Sequence, residues 1–138
     1  MKLRFKAGAR QIVQSTCESV SFYHRTLGVP IRDPDGDYPA TDSLDGAKHF
    51  GLWSLRDAAQ SCFGADTWPS DRIVPQACFE FDVESADEVT AAAKELEAQG
   101  YEVLVAPRTE PWGQVVCRLQ TPEGLLVGVT FTPWMHEG

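Results

Sequence analysis

Apolar positions along this chain follow two rhythms, and the same order of rhythms runs twice. In the second half, Ala77, Phe79 and Phe81 alternate with Cys78, Glu80 and Asp82, the period-two pattern of a strand with two unlike faces, here spanning Ala77 to Val83. Ser85-Ala86-Asp87-Glu88 then forms a capping box, in which the serine oxygen and the glutamate satisfy free N–H groups at a helix start. Val89, Ala92, Ala93 and Leu96 follow at i, i+3, i+4 and i+7 and give one apolar stripe, and Gly100 is placed to end the helix in a left-handed conformation. Strand-like runs follow at Tyr101–Ala106, Gln114–Gln120 and Leu125–Thr132, the last two joined by the turn Thr121-Pro122-Glu123-Gly124. The order is β-α-β-β-β.

The first half repeats it with weaker strands. A run from Ala9 to Gln14 precedes a second capping box, Ser15-Thr16-Cys17-Glu18, and the stripe Val20, Tyr23, His24 and Leu27 before Gly28. Val29–Arg32, the turn Asp33-Pro34-Asp35-Gly36, a poor strand at Tyr38–Ser43, the turn Asp45-Gly46 and a better strand at Lys48–Leu55 complete the unit. Between the copies, Arg56 to Pro75 is polar and holds Gly64, Pro69 and Pro75, so it is expected to be a linker carrying one short helix around Asp57–Cys62. The expectation is one domain over residues 1–138, with module one at about 1–55, the linker at about 56–75 and module two at about 76–134.

Composition narrows the function classes. A formal charge of −8 argues against nucleic acid, whose phosphates need clustered Lys and Arg. No stretch approaches the roughly 20 apolar residues of a membrane span, and the start lacks the apolar run of a secretory signal, so a cytoplasmic location is expected. Cys17, Cys62, Cys78 and Cys117 lack the close pairing of a zinc knuckle or redox motif. Asp33-Pro34-Asp35-Gly36-Asp37 has the look of a calcium loop, but the twelfth position is Leu44, where a bidentate glutamate is required.

Ser19-Val20-Ser21-Phe22-Tyr23-His24-Arg25-Thr26-Leu27-Gly28 resembles the Ser-x-x-Phe-Tyr-x-x-x-Leu-Gly helix of the vicinal oxygen chelate superfamily, which includes glyoxalases, ring-cleaving dioxygenases, fosfomycin-resistance enzymes and bleomycin-binding proteins. Phe79-Glu80-Phe81-Asp82-Val83, Glu110-Pro111-Trp112-Gly113-Gln114 and Thr121-Pro122-Glu123-Gly124-Leu125-Leu126-Val127 are similar to that family's closing module. The resemblance implies an α+β fold in which two tandem β-α-β-β-β modules form a curved mixed sheet of half-barrels with a concave pocket. It implies little about reaction, because one scaffold hosts many chemistries.

Placing Ala77, Phe79 and Phe81 against the helix would send Gln76, Cys78 and Glu80 to the concave side. The resemblance implies metal-ligand positions that fall on Gly8, on Gln76 and, four residues past the turn glycine, on Gly128. A shifted first strand would put Gln11 in place of Gly8. His49 could point inward with Gly51 and Trp53 if Phe50 and Leu52 face the helix. One imidazole and one amide are too few for a divalent site that usually takes three or more protein ligands, so neither a metal nor another cofactor is expected.

Of the four tryptophans, Trp53, Trp68, Trp112 and Trp134, some must simply be core, and Trp53 and Trp112 are the candidates to lie beside a ligand. With Glu80 and Glu110 they would suit a cationic or planar organic molecule; Arg10 and Arg118 would instead favour a carboxylate or phosphate. Cys78 and Cys117 have no evident partner to activate a thiol. His24 is expected in packing and His136 in a solvated tail. The candidate ligand-binding set is therefore His49, Trp53, Gln76, Cys78, Glu80, Glu110, Trp112 and Arg118, with no catalytic residue assigned. The expected function is binding of a small organic molecule by a homodimer without the usual metal. A metal-dependent lyase, isomerase or dioxygenase and a dimeric interaction module with a filled cavity are the alternatives.

Overall fold

The structure, a computed structural model, describes residues 1–136. The chain contains β1 (Phe5–Val13), α1 (Thr16–Val20) running into a π-helical turn (Ser21–Thr26), β2 (Ala40–Thr41), β3 (Phe50–Ser54), α2 (Leu55–Phe63), β4 (Ala77–Asp82), α3 (Ala86–Ala98), β5 (Val105–Thr109), β6 (Val115–Gln120) and β7 (Leu126–Phe131), then a short 3-10 turn at Pro133–Met135. It is an α+β fold with mixed strand pairing: β1 runs parallel to β3, while β2–β3, β5–β6 and β6–β7 are antiparallel. No helix among the described residues is long and apolar enough to cross a membrane.

The chain divides into two compact units, Gly8–Cys78 and a second made of Met1–Ala7 with the residues from Phe79 onward. Both divisions fall inside strands, β1 and β4, and the segment at 56–75 belongs wholly to the Gly8–Cys78 unit.

In the Gly8–Cys78 unit the strand order is β2-β3-β1-β4. Val13, Val20, Ile31 and Leu52 form its core, with Tyr23, Val29 and Phe50 packed against them. Ser15 caps α1 by accepting from the Glu18 N–H, as the capping box requires. The expected helix face then changes phase, because Leu27 N–H donates to the Phe22 carbonyl five residues back. That wider turn carries Leu27 off the stripe and leaves it 59% exposed while Val20 is buried.

The expected strand at Val29–Arg32 reduces to one bridge, Arg32 to Ala40. Pro30 has no N–H to donate to a ladder. The expected helix in the linker is longer than its sequence suggested. Ser54 caps it by accepting from the Asp57 N–H, Gly64 ends it in the left-handed region, and Ala58, Ala59 and Cys62 are its buried stripe.

In the other unit the order is β1-β4-β7-β6-β5. Its apolar core lies under α3: Val83, Val89, Ala92, Ala93, Cys117 and Val129, with Leu96, Val103, Val115 and Phe131 at the margin. Ser85 caps α3 through the Glu88 N–H, a contact worth about 1 kcal/mol. At the other end Tyr101 N–H reaches the Leu96 carbonyl and Gly100 N–H the Glu97 carbonyl, with Gly100 at φ +91°, a Schellman closure.

The strand expected at Tyr101–Ala106 begins only at Val105 and continues to Thr109, with a register shift between Val105 and Arg108. Pro107, which cannot donate to the ladder, sits in that irregularity. The alternation in β4 is also the reverse of a simple inside-out strand: Cys78, Glu80 and Asp82 are buried, while Ala77, Phe79 and Phe81 are only half-buried. Polar partners, described next, make this burial possible.

Candidate functional site

In the Gly8–Cys78 unit, β1 and β3 pair with Arg10 opposite Gly51 and Ile12 opposite Trp53. Since Phe50 and Leu52 join the core with Val20 and Tyr23, the alternate residues His49, Gly51 and Trp53 take the other face, beside Gly8, Arg10 and Ile12. Tyr38 reaches this face from the preceding loop and lies over Gly51. A Cβ at residue 51 would overlap its hydroxyl, so glycine there is a requirement of the close approach.

The Tyr38 hydroxyl is 2.6 Å from His49 Nε2, and His49 Nδ1 is 2.6 Å from Asp42 Oδ1. A carboxylate can only accept, so Nδ1 carries the proton that bonds Asp42, and in the neutral ring Nε2 accepts from the phenol. Asp42 also holds an ion pair with Arg32. Burial works to raise the Asp42 carboxyl, but hydrogen bonds and charges of His49 and Arg32 outweigh it and hold the group below its usual range. Arg10, 6% exposed, lies with its guanidinium carbon 4.6 Å from the Trp53 ring and 5.5 Å from the Tyr38 ring, a cation on two aromatic faces. On the helix side, Tyr23 donates to Gln11, so Gln11 points away from Gly8.

The other unit buries a charge cluster. Arg118, fully buried, pairs with Glu80 at 3.2 Å and Glu110 at 3.6 Å, and Arg108 adds a 2.8 Å hydrogen bond to Glu110. The buried Arg118 guanidinium meets both buried carboxylates, and the exposed Arg108 meets Glu110 from the surface, which offsets the cost of burying the acids. Arg118 pairs in register with Gly128, and Glu80 leans across that glycine. A Cβ at residue 128 would meet Glu80 Cγ at 3.4 Å and Oε2 at 3.5 Å.

Asp82, the third buried acid, accepts from both threonine hydroxyls Thr130 and Thr132, from Thr132 N–H at 2.7 Å, and contacts His136 Nε2 at 2.8 Å. His136 therefore belongs to a packed polar network with its side chain 13% exposed, not to a solvated tail.

Among the other sequence candidates, Gln76 is exposed and its carbonyl accepts from Ile12 N–H. Cys78 is buried. Trp112 is 46% exposed, its indole N–H held by Gln114, which in turn donates to Thr132. Trp134 is half exposed, whereas Trp68 is buried and bonds the Ile73 carbonyl. His24 is half-buried and donates to the Val29 carbonyl. Cys117 lies under α3, where burial pushes its thiol up, the opposite of an activated nucleophile.

The divalent metal implied by the sequence resemblance does not fit these residues. Gly8 and Gly128 offer no side chain to a metal; a Cβ on Gly8 would lie in ordinary contact with the His49 side chain, 3.4 Å away. His49 has both ring nitrogens engaged by Asp42 and Tyr38. Among the described residues no group of three or more His, Cys, Asp or Glu is arranged to hold an ion.

Sequence reasoning did not single out Tyr38 and Asp42. Their stretch has no apolar period, and no spacing rule marks a hydrogen-bonded chain closed across a two-residue strand.

A model of the Glyoxalase/Bleomycin resistance protein/Dioxygenase superfamily matches residues 9–129. A glyoxalase/bleomycin resistance protein/dioxygenase superfamily member from Vibrio splendidus 12B01 is similar at 18% identity and TM-score 0.62, over 95% of this chain and 100% of that one. The Mn(II)-bound glyoxalase from Novosphingobium aromaticivorans is similar at 19% identity and TM-score 0.60, over 94% of this chain and 39% of that one. Methylmalonyl-CoA epimerase from Streptomyces coelicolor is similar at 18% identity and TM-score 0.56, over 96% and 99%. At these identities the likeness is one of fold. No curated protein matches the chain.

Proposed function

The chain belongs to the Glyoxalase/Bleomycin resistance protein/Dioxygenase superfamily, and on that premise we propose that it binds a small organic molecule without a divalent metal, as a homodimer in the cytoplasm. The observation that carries this reading is that Gly8 and Gly128, at two of the positions where the resemblance implies metal ligands, have no side chain to offer. Within the Gly8–Cys78 unit, ligand contacts are assigned to His49 and Trp53 with Gln76 and Cys78; within the other unit, to Glu80, Glu110, Trp112 and Arg118. The dimer follows the habit of the resembling family, and four cysteines present as thiols suit a reducing compartment.

Metal analysis of the purified protein, paired with a thermal-shift titration against manganese, nickel, zinc and iron, tests the reading. A bound ion stabilises the folded state by an amount set by its concentration relative to its dissociation constant. The expected result is substoichiometric metal and an unmoved melting temperature, with a rise on adding planar organic ligands. About one tightly held ion per chain, with a melting temperature that rises with it, would overturn the proposal in favour of a metal-dependent lyase, isomerase or dioxygenase.

A further inference from the structure

We propose that Asp42, His49 and Tyr38 form a proton-transfer chain whose phenol end acts on the acidic oxygen of a bound phenol or enol. The inference rests on the small-molecule-binding reading for its ligand and goes beyond it by assigning chemistry.

The geometry has three parts. The chain is continuous, with 2.6 Å at each of its two links. Asp42 fixes the imidazole so that Nε2 faces the phenol, because Nδ1 must carry the proton bonded to the carboxylate. Asp42 lies against the imidazole, so positive charge there is met, and Arg10 places a cation over the face of the Tyr38 ring, its guanidinium carbon 5.5 Å from the centroid. Arg32 touches the far side of Asp42, and Lys48 is the remaining charge adjacent in sequence to His49.

Proton transfer through this chain balances without an oxidant or reductant. The ligand O–H gives its proton to the Tyr38 oxygen, the Tyr38 proton passes to His49 Nε2, and the ligand is left as an oxyanion near Arg10 while Asp42 stabilises the imidazolium. The reverse sequence reprotonates it. A phenolic or enolic oxygen is the matching class, since transfer between groups of similar acidity costs least and the group that meets the ligand is itself a phenol. Tyr38 touches the ligand and is the catalytic residue. Asp42 is a positioning residue.

The test uses 4-nitrophenol, whose absorption reports its own ionisation, titrated with the whole protein at a pH where the free probe is mostly protonated. The wild type is expected to bind it and raise the phenolate band. Tyr38→Phe and His49→Gln should lose that ionisation, and Asp42→Asn should reduce it severalfold while nitrogen NMR shows the imidazole proton leaving Nδ1. Circular dichroism checks that each variant is folded. Probe that binds un-ionised, or that ionises equally with Tyr38→Phe, overturns the chain. Failure to bind at millimolar concentration overturns the ligand class. Metal content is read separately, by elemental analysis of the same protein, so that failure of the metal-free reading is distinguishable from failure of the chain.

Discussion

Asp42 is a half-exposed carboxylate whose contribution to stability depends on pH. Its folded-state value lies below the ordinary one, so the group stabilises the fold above about pH 4, where the unfolded carboxylate is ionised, and that contribution disappears as pH falls through the lowered value. Asp42→Asn should therefore lower the melting temperature at neutral and alkaline pH, leave it little changed well below about pH 4, and so flatten the acid limb of the profile. An unchanged acid limb would remove Asp42 from the account. At this scale the sequence was informative where a side chain is missing, because Gly8 and Gly128 can be read directly against a ligand pattern. It was silent on Tyr38, since the reason for its position is Gly51 in a strand that follows, and neither residue marks the other in the sequence.

Among elements, the helix starts were legible to the residue. Ser15 and Ser85 both accept the N–H three positions on, because a capping box encodes a local geometry. Strands that depend on distant partners were less so: Pro30 and Pro107 break ladders that an apolar run suggests, and the buried face of β4 is its polar one. That inversion depends on Arg118. Replacing it with methionine removes the buried cation that Glu80 and Glu110 share, and breaking such a buried pair costs about 3–5 kcal/mol. Urea denaturation of Arg118→Met should show a loss of that size, and the double variant Arg118→Met with Glu80→Gln should recover part of it. A loss below about 1 kcal/mol, the range of exposed pairs, would mean that the cluster carries little of the fold.

At the scale of the whole molecule, a formal charge of −8 per chain sets the conditions for self-association. Two like-charged copies repel over about a Debye length, near 8 Å at physiological ionic strength. The proposed homodimer should therefore tighten as salt is added, and light scattering across a salt series should show twice the chain mass at the upper end. A monomer mass throughout would sink that part of the proposal.

The division inside β1 and β4 also bears on how the protein is made. Met1–Ala7 belongs with the residues from Phe79 onward: Arg4 bonds the Asp82 carbonyl and pairs with Glu84, and the Met1 amine meets Glu95. During synthesis these seven residues leave the ribosome before any of their partners exist, and they must wait while the Gly8–Cys78 stretch emerges. The segment is thus made long before it is secured, and a chain interrupted at the 56–75 segment would leave it with nothing to join.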